Sequence, residues 1–273
     1  MSEDVSNRTE LPEYRPACFR NLNGVLGRSD ATVEWVEVAV RHLKHEHDNG
    51  GPERASRLAA QYGVRVNPID FEHVSTRWTC LQILSVYQCG EWFLDEFRRE
   101  HPRQVRTRNS DEDLLSYTLA AFNIGKADVG TLEFEVLDYY RLVRNHLMHK
   151  PLEAQARSHM AQSDRIRGIV SGSTYQSLAA PNHLGLLSFD DFVLFSRALK
   201  HVARKLCTFA QPTDIELFES VYQDHGIIRM FRANKQNEER VAAKIAAYLR
   251  TQYGLPNTAA KVSRTILSLL AQR

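Results

Sequence analysis

Glycine and proline are scarce in this 273-residue chain, at 13 and 9 residues. Barrels, sandwiches and low-complexity chains need many residues of both types, so this composition argues against those classes. Apolar runs are also short, and none approaches the roughly 18 residues of a membrane-spanning helix. Because 43% of the residues are hydrophobic, the chain can still bury a core. We therefore expect an all-α protein without a membrane segment.

Cysteine is rare as well. The four cysteines are Cys18, Cys80, Cys89 and Cys207. They form no CxxC pair, and no basic-then-apolar leader opens the chain, because the residues from Met1 to Glu13 are polar and acidic. These features predict a protein of the reducing cytoplasm whose cysteines act as small buried hydrophobes.

The chain contains 35 Lys and Arg and 33 Asp and Glu, so its net charge is +2 and neither sign of charge dominates. Residues 1–150 carry a net charge of −4 and residues 151–273 a net charge of +6. This near balance of acidic and basic side chains excludes two classes of protein. One is a tail that coats a polyanion, and the other is a highly acidic solvating protein. The basic C-terminal part weakly favours an anionic partner.

Hydrophobic periodicity divides the chain into three predicted parts. Residues 1–30 show no clear period and contain two prolines and two glycines, which predicts an irregular N-terminal arm. Residues 31–210 form a helical domain, and residues 211–273 form a C-terminal helical extension packed on it. The predicted helices span residues 32–47, 52–62, 70–100, 110–125, 131–149, 154–170, 188–210, 214–231, 238–253 and 258–271.

Polar chemistry is concentrated at the end of the predicted helix 131–149. Asp138, Arg141, Asn145 and His149 recur at offsets of three, four and four, which places them on one helix face. Arg144 lies at the edge of the apolar stripe of the same helix. The helix is expected to stop at this point because a proline at position 151 disfavours α geometry at the residue before it.

The three side chains Arg144, Asn145 and His149 suit phosphodiester chemistry. Histidine exchanges a proton near neutral pH, arginine is a permanent planar cation, and asparagine orients either group. Cleaving RNA without a metal requires a base, an acid and positive charge beside the phosphorane. Since one chain offers one His149, a two-fold axis at this helix would complete the set, which predicts a homodimer.

The pattern of Arg144, Asn145, three further residues and His149 resembles the Arg-polar-x(3–5)-His motif of the HEPN domain. The resemblance covers about residues 71–210. It implies an all-α HEPN-like bundle that pairs through the motif helix and acts as a metal-independent endoribonuclease without a cofactor, leaving 2',3'-cyclic phosphate and 5'-hydroxyl ends. It further implies a role as a toxin or anti-phage effector restrained by a neutralising or regulatory protein.

The resemblance also implies a role for each motif residue. Arg144 would stabilise the scissile phosphate, Asn145 would occupy the polar position, and His149 would act as acid or base. Some members of the family use an acidic residue on the earlier long helix, for which Glu91 is the best-placed candidate and Glu96 the next.

Basic and polar side chains around the motif are candidates for contacts with RNA. They are Lys150, His146, Arg141, Arg103, Arg106 and Arg108. His146 lies three residues from His149, and we expect it to be solvent-exposed or in contact with RNA rather than catalytic.

Each signal also has a structural interpretation. His149 could be only a favourable cation at a helix C-terminus, and Arg144 could pair with Asp138 or Glu91 and tie two helices together. For the chain as a whole, two alternatives stay open. One is a catalytically inactive HEPN-like module for dimerisation or nucleotide binding, and the other is a helical nucleic-acid-binding adaptor.

A second histidine-rich segment invites a zinc hypothesis. It contains His42, His45, Glu46 and His47. Residues three and four apart on a helix can share a metal, but only three of these four fit one face and no second ligand pair follows. A solvated polar helix face is the favoured interpretation, and we predict no metal site.

Overall fold

The computed structural model describes residues 14–66, 71–101, 108–109, 112–149, 153–233, 237–255 and 259–271. These residues form 11 α-helices and a short 3₁₀ turn, with no strand among them. The predicted all-α class is therefore confirmed. In the same residues, no helix is both long and apolar enough to cross a bilayer.

The helices are α1 (Ala17–Gly50), α2 (Pro52–Gln61), α3 (Phe71–Glu100), α4 (Leu114–Ala121), α5 (Thr131–Met148), α6 (Glu153–Val170), α7 (Phe189–Phe209), α8 (Asp214–Gln223), α9 (His225–Ala233), α10 (Glu238–Tyr253) and α11 (Ala259–Ala271). Seven of the predicted helices, at residues 52–62, 70–100, 131–149, 154–170, 188–210, 238–253 and 258–271, match within one residue at each end. That difference is within the ordinary uncertainty of helix ends.

The predicted irregular arm over residues 1–30 is wrong from residue 17 onward, because α1 is continuous from that point. Residues 1–13 lie outside the described residues. Gly24 and Gly27 are exposed on α1, whereas Cys18, Leu22 and Leu26 recur every four residues and are buried. Each helical glycine costs about 1 kcal/mol relative to alanine. Burial of the apolar stripe offsets that cost, so the glycines do not end the helix.

Two further predicted helices differ from the observed ones. The helix expected at 110–125 is the shorter α4, and Asp113 caps it by accepting a hydrogen bond from the Ser116 N–H at 2.8 Å. The helix expected at 214–231 is divided into α8 and α9 at Asp224. The Asp224 backbone is extended, and its carboxylate accepts the Ile227 N–H at 2.8 Å, which caps the start of α9.

The described residues group into two compact units. The first contains the described residues within 14–21, 93–125 and 203–271. Phe97 and Phe122 pack in its core with ring centroids 5.0 Å apart. Gly254, in the left-handed conformation, ends α10, and a Cβ there would lie 1.9 Å from the Arg15 carbonyl oxygen. Only glycine fits this turn.

The second unit contains residues 22–92 and 126–202. Its core includes Tyr139, Tyr140 and Val143 of α5, all fully buried, and Tyr140 stacks on Phe195 of α7 at 4.7 Å. Helices α1, α3 and α7 each contribute residues to both units. The units therefore do not follow the predicted division at residues 30 and 210.

Candidate functional site

The helix that carries the motif, α5, is anchored by a buried carboxylate. Asp191 is fully buried and accepts hydrogen bonds from the Tyr140 hydroxyl at 2.9 Å and from the backbone N–H groups of Asn182 and Ser188 at 2.8 Å. Burial, together with the charge of Asp191, raises the pKa of Tyr140 well above its ordinary value. Tyr140 therefore stays a neutral donor, and α5 is held in one orientation.

Arg144 lies one turn beyond Tyr140 and stacks on an aromatic ring of α3. Its guanidinium carbon is 5.1 Å from the centroid of Tyr87, and its Nη1 donates to Asn145 Oδ1 at 3.1 Å. The side chain is half-buried. A guanidinium held by a ring face and a carboxamide is restrained in its orientation, and the other N–H donors of Arg144 have no partner among the described residues.

Tyr87 joins this arrangement to the predicted acidic residue. Its hydroxyl donates to Glu91 Oε1 at 3.1 Å, one turn along α3. Burial and the adjacent Glu91 carboxylate raise the pKa of Tyr87 to about 12, and the cations of Arg144 and Arg141 oppose that rise. Glu91 is therefore placed beside the motif through Tyr87. Among the described residues, Arg144 forms no ion pair with it.

Arg141, predicted to contact RNA, is paired within its own helix. Its Nη2 lies 2.7 Å from Asp138 Oδ1, and its Nε donates to the same oxygen at 3.0 Å. Both side chains are about a third exposed. Asp138 thus pairs with Arg141, and the predicted alternative pairing of Arg144 with Asp138 is wrong.

His149 directly follows the last residue of α5, so its predicted position within the last turn is wrong by one residue. The helix ends at Met148, and His149 has extended backbone angles, although its N–H still donates to the Asn145 carbonyl at 2.9 Å. The helix stop thus falls one residue earlier than expected. The imidazole is exposed, and among the described residues it has no hydrogen-bond partner.

His146 was expected to be exposed or in contact with RNA; it is partly buried, which contradicts the expected exposure, and the contact with RNA stays a prediction. Its ring packs on His159 of α6 with centroids 4.2 Å apart, and its Nε2 is buried. The reason is that α6 covers this side of α5, which the helix pattern of α5 alone could not indicate.

The remaining predicted contacts with RNA are only partly described. Arg108 is exposed, and its Nε donates to the Glu112 carbonyl at 2.9 Å. Lys150, Arg103 and Arg106 lie outside the described residues. Their role stays a prediction.

The histidine-rich segment of α1 is engaged with polar neighbours. Asn49 contacts the ring of His45, and His47 lies 3.4 Å from Asp48. In the described ranges, no three His, Cys, Asp or Glu side chains are grouped so that they can hold a metal ion. The four cysteines are buried thiols, as predicted, and burial raises the pKa of each.

Sequence reasoning missed Tyr87 and His159, the two residues that other helices bring to α5. A signal existed for Tyr87, because it precedes Glu91 by four residues on a strongly periodic helix and therefore shares its face. No sequence pattern indicated His159. Together, Arg144, Asn145, Tyr87 and Glu91 offer a fixed cation, an amide and a carboxylate, with an exposed imidazole at the helix end.

Comparison with known proteins identifies no relative: no family model, no curated protein and no solved structure matches the chain.

Proposed function

We propose that this protein is a metal-independent endoribonuclease of HEPN type that leaves 2',3'-cyclic phosphate and 5'-hydroxyl ends. The observation that supports this proposal best is the placement of Arg144. It is held on the Tyr87 ring and by Asn145, so its free donors stay oriented, and an exposed His149 follows at the end of the same helix. A fixed planar cation with a nearby titratable group suits a developing phosphorane.

The proposed reaction needs only the substrate and side chains of this protein. The imidazole of one His149 takes the proton of the 2'-hydroxyl, and the 2'-oxygen attacks the adjacent phosphorus. A second, protonated imidazole gives its proton to the departing 5'-oxygen. The guanidinium of Arg144 balances the added negative charge on the non-bridging oxygens, and no oxidant, reductant or metal is consumed.

A homodimer through α5 would supply the second imidazole. Within one chain His149 is exposed and separate from the contacts of Arg144, and the neighbouring Met148 is 56% exposed. An exposed apolar side chain beside an incomplete catalytic set favours pairing of two copies at this helix end. The dimer would place two His149 and two Arg144 around one RNA strand.

The biological setting of this proposal rests on the HEPN resemblance. A ribonuclease acting in the cytoplasm needs restraint, so we include a neutralising or regulatory protein partner and a role as a toxin or anti-phage effector. RNA contacts from Lys150, Arg103, Arg106 and Arg108 belong to the same proposal. These basic side chains would bind the phosphate backbone and not the bases.

The test is cleavage of a mixed single-stranded and tRNA pool by purified protein in excess EDTA, with the product ends mapped. We expect cyclic phosphate ends from the wild type. Arg144→Ala should lower the rate by about 100-fold or more, as the loss of a phosphorane-stabilising donor does in other enzymes. His149→Ala should lower it by about 100-fold or more through the loss of proton transfer.

Two matched controls lie on α1. Arg41 also has its guanidinium near an aromatic ring, 6.0 Å from Phe189, and His42 is exposed. Arg41→Ala and His42→Ala should cut at the wild-type rate. Equal cutting by the wild type and both motif variants would contradict the proposal and indicate a contaminating nuclease.

One observation favours the alternative of a catalytically inactive module for dimerisation or nucleotide binding. Within the described part of the chain, the His149 imidazole has no hydrogen bond to Arg144 or to any other group that would orient it. Wild-type protein that binds RNA or dimerises but never cuts it would support this alternative and reject the nuclease.

A further inference from the structure

Within residues 158–170 of α6, the buried face carries no apolar side chain before Ile166. Among residues 158–170 of this helix, the buried side chains are His159, Ser163, Ile166 and Val170, at the spacing of one helix face. Aliphatic residues fill the C-terminal part of the face. A histidine occupies the position where an amphipathic helix ordinarily carries leucine or valine. Contact between residues 158–162 of α6 and α5 therefore includes a titratable group at its buried position.

His159 meets His146 of α5. The two ring centroids are 4.2 Å apart in an edge-to-face arrangement, and His159 is only 8% exposed. Neither His159 Nδ1 nor His146 Nε2, both buried, has a hydrogen-bond partner among the described residues. Neutral imidazoles tolerate this packing as aromatic rings. A protonated imidazole has two N–H donors and a positive charge, so protonation would place an unpaired donor in a buried contact.

The charged groups that face His159 in the described residues come from α5. Arg141 and His146 oppose a positive charge on His159, whereas Asp138 favours it. Asp138 is already paired with Arg141 at 2.7 Å, which weakens its effect. Tyr139, with its ring 6.3 Å from that of His159, is neutral because burial raises its pKa. Burial, followed by His146 and Arg141, lowers the pKa of His159 below its ordinary value.

We propose that the His146–His159 pair is a proton-operated clamp that holds residues 158–162 of α6 on α5 and releases them on acidification. The C-terminal half has an independent tie, because Arg165 Nη1 donates to Glu135 at 2.8 Å and Ile166 is fully buried. Release is therefore confined to the part of α6 before Ser163.

This clamp does not depend on the proposed nuclease, but it would regulate that site if both exist. His146 directly follows Asn145 and lies in the same turn as Met148, which precedes His149. Release of α6 would remove the packing partner of the turn that carries the motif. If the proposed function holds, the rate of RNA cleavage should fall on acidification, together with the hydrogen-exchange protection of α6.

Hydrogen–deuterium exchange tests the clamp directly. Wild-type protein is compared at pH 7.5 and pH 5.5, with rates corrected for intrinsic exchange, in peptides covering residues 158–162 and 164–170. We expect protection of 158–162 to fall by at least about threefold at pH 5.5, since each unit of pKa depression changes the opening equilibrium tenfold. Protection of 164–170 should change less. Unchanged protection of 158–162 would overturn the proposal.

His159→Phe is the decisive variant because phenylalanine keeps an aromatic ring without ring nitrogens. It should abolish the pH response of residues 158–162, whereas His42→Phe, on the exposed face of α1, should keep the wild-type response. A response that persists in His159→Phe would reject the clamp.

If His159→Phe does not fold, His159→Leu removes the same titratable group and provides the comparison. NMR titration of the wild-type His159 ring requires no variant. Its midpoint should lie below roughly 6.5, the ordinary histidine value, and a midpoint at or above that value would overturn the clamp. RNA cleavage that is absent at every pH would reject the nuclease and leave the exchange result standing, so the two failures are distinguishable.

Discussion

Two neighbouring regions of α5 differ in how their polar groups are partnered. On the side of α3, Arg144 contacts the Tyr87 ring and the Asn145 amide, and Tyr87 in turn donates to Glu91. On the side of α6, His146 and His159 pack ring on ring with buried nitrogens that have no hydrogen-bond partner in the described residues. The polar groups of the first region contact one another, whereas in the second region two buried ring nitrogens have no partner among the described residues.

The two regions therefore differ in how their charge responds to pH. The guanidinium of Arg144 keeps its proton at any pH a protein tolerates, so its contacts with Tyr87 and Asn145 do not depend on pH. Imidazoles change charge near neutrality, and a pair without partners is favourable only while both rings are neutral. One helix therefore combines a permanent cation with the proposed pH-dependent packing contact.

The largest expected effect comes from Asp191→Ala, which breaks the anchor shared by both regions. The change leaves the Tyr140 hydroxyl and two backbone N–H groups without their buried acceptor. We expect the free energy of unfolding to fall by about 3–5 kcal/mol, measured by urea denaturation. The control is Asp190→Ala, because Asp190 accepts one exposed hydrogen bond, from the Ala179 N–H. Equal losses in the two variants would show that burial of Asp191 contributes nothing.

Changes at Tyr87 affect the α3 side alone, and their effect on cleavage depends on the proposed function. Tyr87→Leu removes the ring under Arg144, and we expect the single-turnover cleavage rate to fall by about tenfold because the guanidinium loses its orientation. Tyr87→Phe keeps the ring and loses only the bond to Glu91, so the rate should stay within about threefold. If both variants cut at the wild-type rate, Tyr87 does not position Arg144.

The pH dependence of stability isolates the α6 side. The pKa of His159 is lower in the folded than in the unfolded state, so the unfolded state binds more protons as pH falls below about 6.5. The free energy of unfolding should fall over that range, by about 1.4 kcal/mol for each unit of pKa depression, and be constant above it. The measurement is the urea midpoint between pH 5 and 8. His159→Phe should flatten the profile and His42→Phe should not.

The smallest effect is expected from Arg141→Met, which removes a partly exposed ion pair. At pH 7.5 the free energy of unfolding should change by less than about 1 kcal/mol. Because the Arg141 cation opposes protonation of His159, its loss should raise the midpoint of His159 in an NMR titration. A midpoint that falls or stays constant would show that Arg141 does not act on the clamp.

Much of the helical fold was predictable because its signals are local. α3 and α5 follow apolar periodicity, and the hairpin of α10 and α11 is marked by the glycine and proline that separate its helices. The start of α1 was missed because Gly24 and Gly27 indicate a loop when the chain is considered alone. They lie on the exposed side of a helix whose opposite side is buried. The break at Asp224 was missed because the apolar pattern continues across it.

The candidate site was predictable where its residues share the pattern of one helix, and the family resemblance added Glu91 of α3. Arg144 and Asn145 are adjacent in the sequence and also in space, and Glu91 lies beside them through Tyr87. His149 was predicted inside the last turn of α5, but the helix ends one residue earlier. That one residue removes the helical backbone geometry on which the face assignment of His149 depended.

Periodicity along the chain predicted most of the helices and showed which residues of α5 share a turn, because a helix face depends only on neighbours in the sequence. The contacts of Tyr87 with Arg144 and of His159 with His146 could be known only from the packed structure. These contacts join different helices, and their geometry follows from how the apolar stripes of those helices pack together. The same packing holds the Arg144 cation against an aromatic ring and places His146 in a buried contact that is sensitive to protonation.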